Sequence, residues 1–151
     1  MNNILKGIAI VFLVLISIFV VAGIWTGYKS AKYEKTAVPY MAKTIPELSK
    51  WDPEIIKSYM SPELHSEVSD SDLIKMTRIM SKMGTLIATG EPVFKNVIST
   101  STVENGSMTL VTYLVPAKYA NGDATLTLIL KEKNESFDIY NFNVDSMVLF
   151  E

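Results

Sequence analysis

The stretch ATLTLIL, residues 124–130, alternates: Leu126, Leu128 and Leu130 point one way, Thr125 and Thr127 the other. A period of two is that of a β-strand, and leucine opposite threonine is the pattern of a sheet covered on one face only. Working outward, Asn105-Gly106, Asn121-Gly122 and a break at Lys133 to Ser136 divide the chain after Gly90, and Asn-Gly pairs tolerate the positive φ angles of tight hairpins. Four strands follow, near Pro92 to Glu104, Ser107 to Tyr119, Ala124 to Lys133 and Phe137 to Leu149. The second is apolar on both faces, with Leu110 and Leu114 against Val111, Tyr113 and Val115, so it is either central or turns its outer face to a partner. In the last, Ile139, Tyr140 and Phe142 break strict alternation, which predicts a bulge or bend.

Ahead of the strands the period is helical. Pro39 and Pro46 interrupt Thr36 to Lys50, which reads as a helical connector that bends. In WDPEIIKSYMSPEL, Asp52 followed by Pro53 and Ser61 followed by Pro62 are two helix starts, each an N-cap with proline at the first helical position. In SDSDLIKMTRIMSKMG, Leu73, Met76, Met80 and Met83 recur at helical spacing, Asp70 and Asp72 sit at the positive end of the helix dipole, and Gly84 closes the C-terminus. The methionine stripe beside a sheet reads as core filling, with an adaptable binding groove as the alternative.

The N-terminal third has another character. GIAIVFLVLISIFVVAGIWTGY, Gly7 to Tyr28, contains no charge, and 13 of its 22 residues are Ile, Leu, Val or Phe. As a helix it extends about 33 Å, against a bilayer hydrocarbon thickness of about 30 Å. Those side chains favour insertion by on the order of 5 kcal/mol, and Trp25 and Tyr28 fall where an interfacial aromatic belt belongs. A cleaved signal peptide is the rival, with Lys6 as its basic region and a poor cleavage site at Val20-Val21-Ala22. A type IV pilin is set aside, because Phe12 stands where those proteins have glutamate. The division predicted is a tail at 1–6, a transmembrane helix at 7–28, a juxtamembrane linker at 29–39 and an α+β globular domain at 40–151, its helices packed on a four-stranded antiparallel sheet.

Net charge is −2, or −3 with Lys6 left out, so no broad attraction to nucleic acid exists. Without cysteine there are no disulfides, thiolate metal sites or cysteine nucleophile. The most polar cluster, HSEVSDSD, gathers His65, Glu67, Asp70 and Asp72. It lacks the glycine and terminal glutamate of a calcium loop, and zinc would have to rely on His65, the only histidine, so these acids read as helix caps and solvated surface. No metal, cofactor or catalytic residue is assigned from this pattern. STSTV supplies hydroxyls without triad partners, and the sequons at Asn105 and Asn134 coincide with turns.

Helices ending in a glycine, then a meander closing with GDATLTL and FDIYNFNV, resemble the nuclear-transport-factor-2-like (cystatin-like) superfamily, in particular small bacterial membrane-anchored members of unknown function. The resemblance covers roughly Tyr40 to Leu149, with Phe137 where such domains often have tryptophan. It implies a curved, cone-like sheet around a helix, often with a pocket, and an extracytoplasmic domain on the inner (cytoplasmic) membrane; it implies no reaction. The positive-inside rule opposes that orientation, since Lys29, Lys32, Lys35 and Lys43 follow the apolar run and only Lys6 and the terminal amine precede it. Enzymes of this shape place an Asp, His or Tyr in an apolar pocket, which here makes Tyr113, Asp138 and His65 the candidates to inspect. The functional expectation is a single-pass membrane-anchored envelope domain, held by lipid through its N-terminal helix, that binds a protein partner or apolar ligand. The alternatives are a pocket enzyme, isomerase- or dehydratase-like, on a small carbonyl or hydroxylated substrate, and a scaffold of an inner-membrane complex that exposes Val111 and Tyr113.

Overall fold

A computed structural model describes residues 2–103 and 106–150, without the side chains of residues 2–7, 9, 19, 22–26, 29 and 102. The chain forms two compact units, Met1–Lys35 and Thr36–Glu151. The first is one helix, α1 (Asn2–Glu34), which continues past Tyr28 into the stretch expected as linker. Along it Ile10, Val11, Phe12, Leu13, Val14, Leu15 and Ile16 are all exposed, so apolar side chains leave this helix in every direction. Among the described residues no helix is long and apolar enough to cross a membrane. The expected span includes residues 9, 19 and 22–26, whose side chains lie outside the described set, as do those of Lys6, Trp25 and Lys29.

The second unit is α+β. Four helices, α2 (Ala37–Leu48), α3 (Pro53–Tyr59), α4 (Pro62–Glu67) and α5 (Asp70–Met80), precede five strands, β1 (Leu86–Thr89), β2 (Val93–Thr102), β3 (Gly106–Tyr119), β4 (Gly122–Lys133) and β5 (Ser136–Asp145). All pairings are antiparallel, in the order β1-β3-β4-β5, and β2 shares with β1 the same side of β3. The sheet is curved, with register shifts at β1, β2 and β5. Five strands replace the four expected: β1 is only four residues long and pairs with the far end of β3, which outruns β2.

Capping follows the sequence closely. The Asp52 carboxylate accepts from the Glu54 and Ile55 N–H groups, Ser61 from Leu64 and Ser69 from Asp72, with Pro53 and Pro62 opening α3 and α4. The α5 helix tightens into a 3-10 turn, Ser81–Met83, and stops at Gly84, whose φ is +77°. A Cβ there would lie 3.1 Å from Ala120 Cβ and 3.2 Å from Asn121 Nδ2. Gly84→Ala is therefore expected to cost about 1–3 kcal/mol, read as a lowered urea midpoint with an unchanged slope.

The hairpins differ in detail from expectation. Asn134 and Glu135 both have positive φ, as a two-residue I′ turn requires. Between β3 and β4 the loop residues are Ala120 and Asn121, and Gly122 already pairs with Tyr119. Asn121 instead ties the hairpin to the 3-10 turn Ser81–Met83, with its N–H donating to Met83 O and its side chain to Lys82 O at 2.7 Å. Gly122 leaves room for Val148, whose Cγ2 would sit 2.5 Å from a Cβ at that position. In the β2–β3 connection Glu104 and Asn105 lie outside the described residues, so the Asn105-Gly106 turn is not placed.

β5 ends at Asp145, short of Leu149, because the buried Ser146 hydroxyl donates to Asp123 O and accepts from Val148 N–H. The chain turns there into a 3-10 helix, Met147–Phe150. Between α2 and the sheet the core is filled: Met41, Thr44, Ile45 and Leu48 are fully buried, as are Val111, Leu126, Leu128 and Leu130. Val111 and Tyr113, expected as an exposed patch under the scaffold reading, are 0% and 2% exposed. β3 is central, and its register places these residues beside Leu130 and Leu128 on the covered face, leaving Leu110 and Leu114 half-buried on the other.

Candidate functional site

The residues singled out for chemistry lie in three different environments. Tyr113 is packed in the core against Phe94, ring centroids 5.7 Å apart. Asp138, on β5, pairs with Lys133 at 3.3 Å across the hairpin. His65 is exposed on α4. The acids near His65 serve the helices: Asp70 accepts from Lys57 at 2.7 Å, and Asp72 accepts from the Ser69 hydroxyl and pairs with Lys75 at 3.4 Å. Both carboxyls are held below the usual range, first by those hydrogen bonds and then by the neighbouring lysine charge.

A polar spot is buried on α2. Tyr40 packs against Phe137, and its hydroxyl and that of Thr44, one turn along, are both buried outside hydrogen-bond geometry. Burial pushes the Tyr40 phenol up to about 12; Thr44 nearby opposes the shift, and Asp138 and Tyr59 add to it. A phenol that ionises later in the folded state than in the unfolded one adds stability below pH 10, and that stability is lost as pH rises through 10 toward 12. Tyr40→Phe is expected to flatten the fall in urea midpoint across this window, measured against the parent chain.

A partly enclosed apolar concavity lies elsewhere. After α3 the chain passes beside β5, where Met60 makes a parallel bridge to Ile139 and Ser61 N–H donates to Ile139 O at 2.8 Å. The register shift opposite Ile129 and Leu130 leaves Tyr140 as an extra residue, which fulfils the expected bulge. It also puts Ile139 and Phe142, three positions apart, both in buried positions. α5 lies across with Leu73 and Thr77 buried, and between them opens a partly enclosed cleft of about 50 Å³. Its walls are Ile56, Met60, Leu64, Val68, Leu73, Met76, Thr77, Met80, Ile139, Asn141 and Phe142, with no ionisable side chain among them. One flank is tied down by the Glu63–Lys131 pair at 2.6 Å, in which the Lys131 hydrogen bond draws the Glu63 carboxyl below its usual range.

The methionine stripe is thus split. Met83 is buried and Met80 half-buried, but Met76 is 40% exposed at the rim, because the helix turns Leu73 and Thr77 to the core. Missed from the sequence were Met60, Leu64, Ile139 and Phe142, which reach the cleft from other elements. A volume of about 50 Å³ is far below the roughly 300–1,000 Å³ of small-molecule sites, so it admits the tip of an apolar side chain and not a whole small-molecule substrate. Two wider, open grooves flank the sheet: one of about 590 Å³ past Pro116, Asp123 and Asp145, and one of about 480 Å³ beside Trp51 and Gly84. Among groups of described acids and histidines, none could hold a metal ion. Compared with known proteins, the chain matches no family model, no curated protein and no solved structure.

Proposed function

We propose that this chain is a single-pass membrane-anchored binding domain of nuclear-transport-factor-2-like architecture, tethered by α1 and receiving an apolar side chain of an envelope protein in the methionine-lined cleft. The observation that carries the anchor is the run Ile10 to Ile16, apolar and exposed at every consecutive position. A helix with no polar face belongs in lipid, where its backbone groups are satisfied internally. Binding is favoured over catalysis because the cleft has no titratable group, and unbranched thioethers at Met60, Met76 and Met80 reshape readily around a partner.

The domain faces the extracytoplasmic side in this reading. A C-terminal alkaline phosphatase fusion should be active and a fluorescent-protein fusion dark; the reverse pair would put the domain in the cytoplasm. For the cleft, Met76→Arg with Met80→Arg should abolish recovery of a partner that the parent chain retains from detergent extract. Identical recovery by both chains would rule the cleft out as the binding site.

A further inference from the structure

The side of α5 turned away from the core carries Lys75 and Arg78, bordered by Ile74 and Ile79 at 47% and 51% exposure, and Lys82 follows on the 3-10 turn. Asp70 is engaged by Lys57, and Asp72 meets Lys75 only at 3.4 Å between two exposed side chains. Among the described residues Arg78 and Lys82 have no carboxylate partner. The Met147–Phe150 helix lies against this turn and adds the exposed Phe150. On a chain of net charge −2, this is a basic strip with apolar borders.

We infer that this face docks on an anionic bilayer surface, the lysines and arginine meeting lipid phosphates and the isoleucines entering the headgroup boundary. Each requirement is met by an observed group: Arg78 and Lys82, free of carboxylate partners among the described residues, for the phosphates, and exposed branched aliphatics that water solvates poorly. The inference rests on the membrane reading above. Only Lys35 and Thr36 separate α1 from α2 in the chain, so docking of an anchored domain is intramolecular and proceeds at high effective concentration. A cation near such a surface contributes about fivefold in the docked-to-free ratio, so Arg78 and Lys82 together supply roughly 25-fold under tethering.

The absence of cysteine permits a direct test. The full chain carrying Ile79→Cys, labelled with an environment-sensitive fluorophore, is reconstituted in phosphatidylcholine vesicles with and without phosphatidylglycerol; Asn143→Cys on β5 is the control. In anionic vesicles the label at position 79 should shift to the blue and be quenched by lipid-borne nitroxides. About 0.5 M salt, where the screening length is roughly 4 Å, should reverse the shift. Arg78→Gln with Lys82→Gln should lower the docked-to-free ratio roughly 25-fold. Equal emission in neutral and anionic vesicles would overturn the inference, and so would a shift that salt leaves intact, which would mark a contact between protein surfaces. Flotation in alkaline carbonate separates the two failures: a chain that leaves the lipid fraction defeats the anchor, whereas one that floats with a water-exposed label defeats only the docking.

Discussion

Leu15→Arg combined with Ile18→Arg should release the protein from membranes. Both positions lie near the middle of the uncharged run, and both side chains are exposed on α1. An arginine at the centre of a spanning helix costs about 2.5–3.5 kcal/mol and forfeits a further ~0.5 kcal/mol from the apolar residue it replaces, so the pair costs roughly 7 kcal/mol. That exceeds the ~5 kcal/mol by which the native run favours insertion. In membrane fractionation of expressing cells, the parent should sediment with membranes and the double variant should be found soluble, aggregated or degraded. Leu15→Ile with Ile18→Leu, which leaves apolarity unchanged, should behave as the parent. A double variant that stays with the membranes would mean α1 is not what holds the chain there.

Leu128→Ala should cost about 2–5 kcal/mol of folding stability. Leu128 is fully buried on β4, opposite Tyr113 on β3 and Phe142 on β5, so truncation leaves a cavity in the middle of the sheet's covered face. Leu114→Ala, on the other face and half-buried, should cost about 1 kcal/mol or less, because solvent already reaches that side. Urea unfolding of the full chain in mild detergent, followed by tryptophan fluorescence, measures both. Equal losses would mean the sheet buries both faces alike.

The division between what residues reveal locally and what only packing reveals runs through particular elements. The leucine-threonine alternation of β4, the caps at Asp52, Ser61 and Ser69 and the stop at Gly84 depend on neighbours within a few positions, and each is found as read. The bulge in β5 was legible for the same reason, since a break in period is a local signal. β1 was not: its four residues have no alternation, and it exists because β3 extends past β2 and offers Lys118 and Ala117 as partners. Nor could the apolar faces of β3 be ranked from composition, because Val111 and Tyr113 are inward only through their register with β4. β5 ends early through a hydrogen bond between Ser146 and Asp123, 23 positions apart.

The cleft is intermediate. Its methionines at 76 and 80 are visible as a stripe that reads as core filling before a binding groove, and what opens it is the opposing bulged strand with the Met60–Ser61 crossing. Thr77 fills the core position that a hydropathy pattern assigns to a methionine. Exposure of Met76 at the rim follows from that displacement.

The tether is tested most directly by alkaline carbonate treatment and flotation of membranes holding the native chain, with intact mass measured on the floated material. The protein should rise with the lipid and retain its mass from the N-terminal tail onward. Recovery in the carbonate supernatant, or a mature chain that starts beyond Ala22, would contradict a permanently embedded α1.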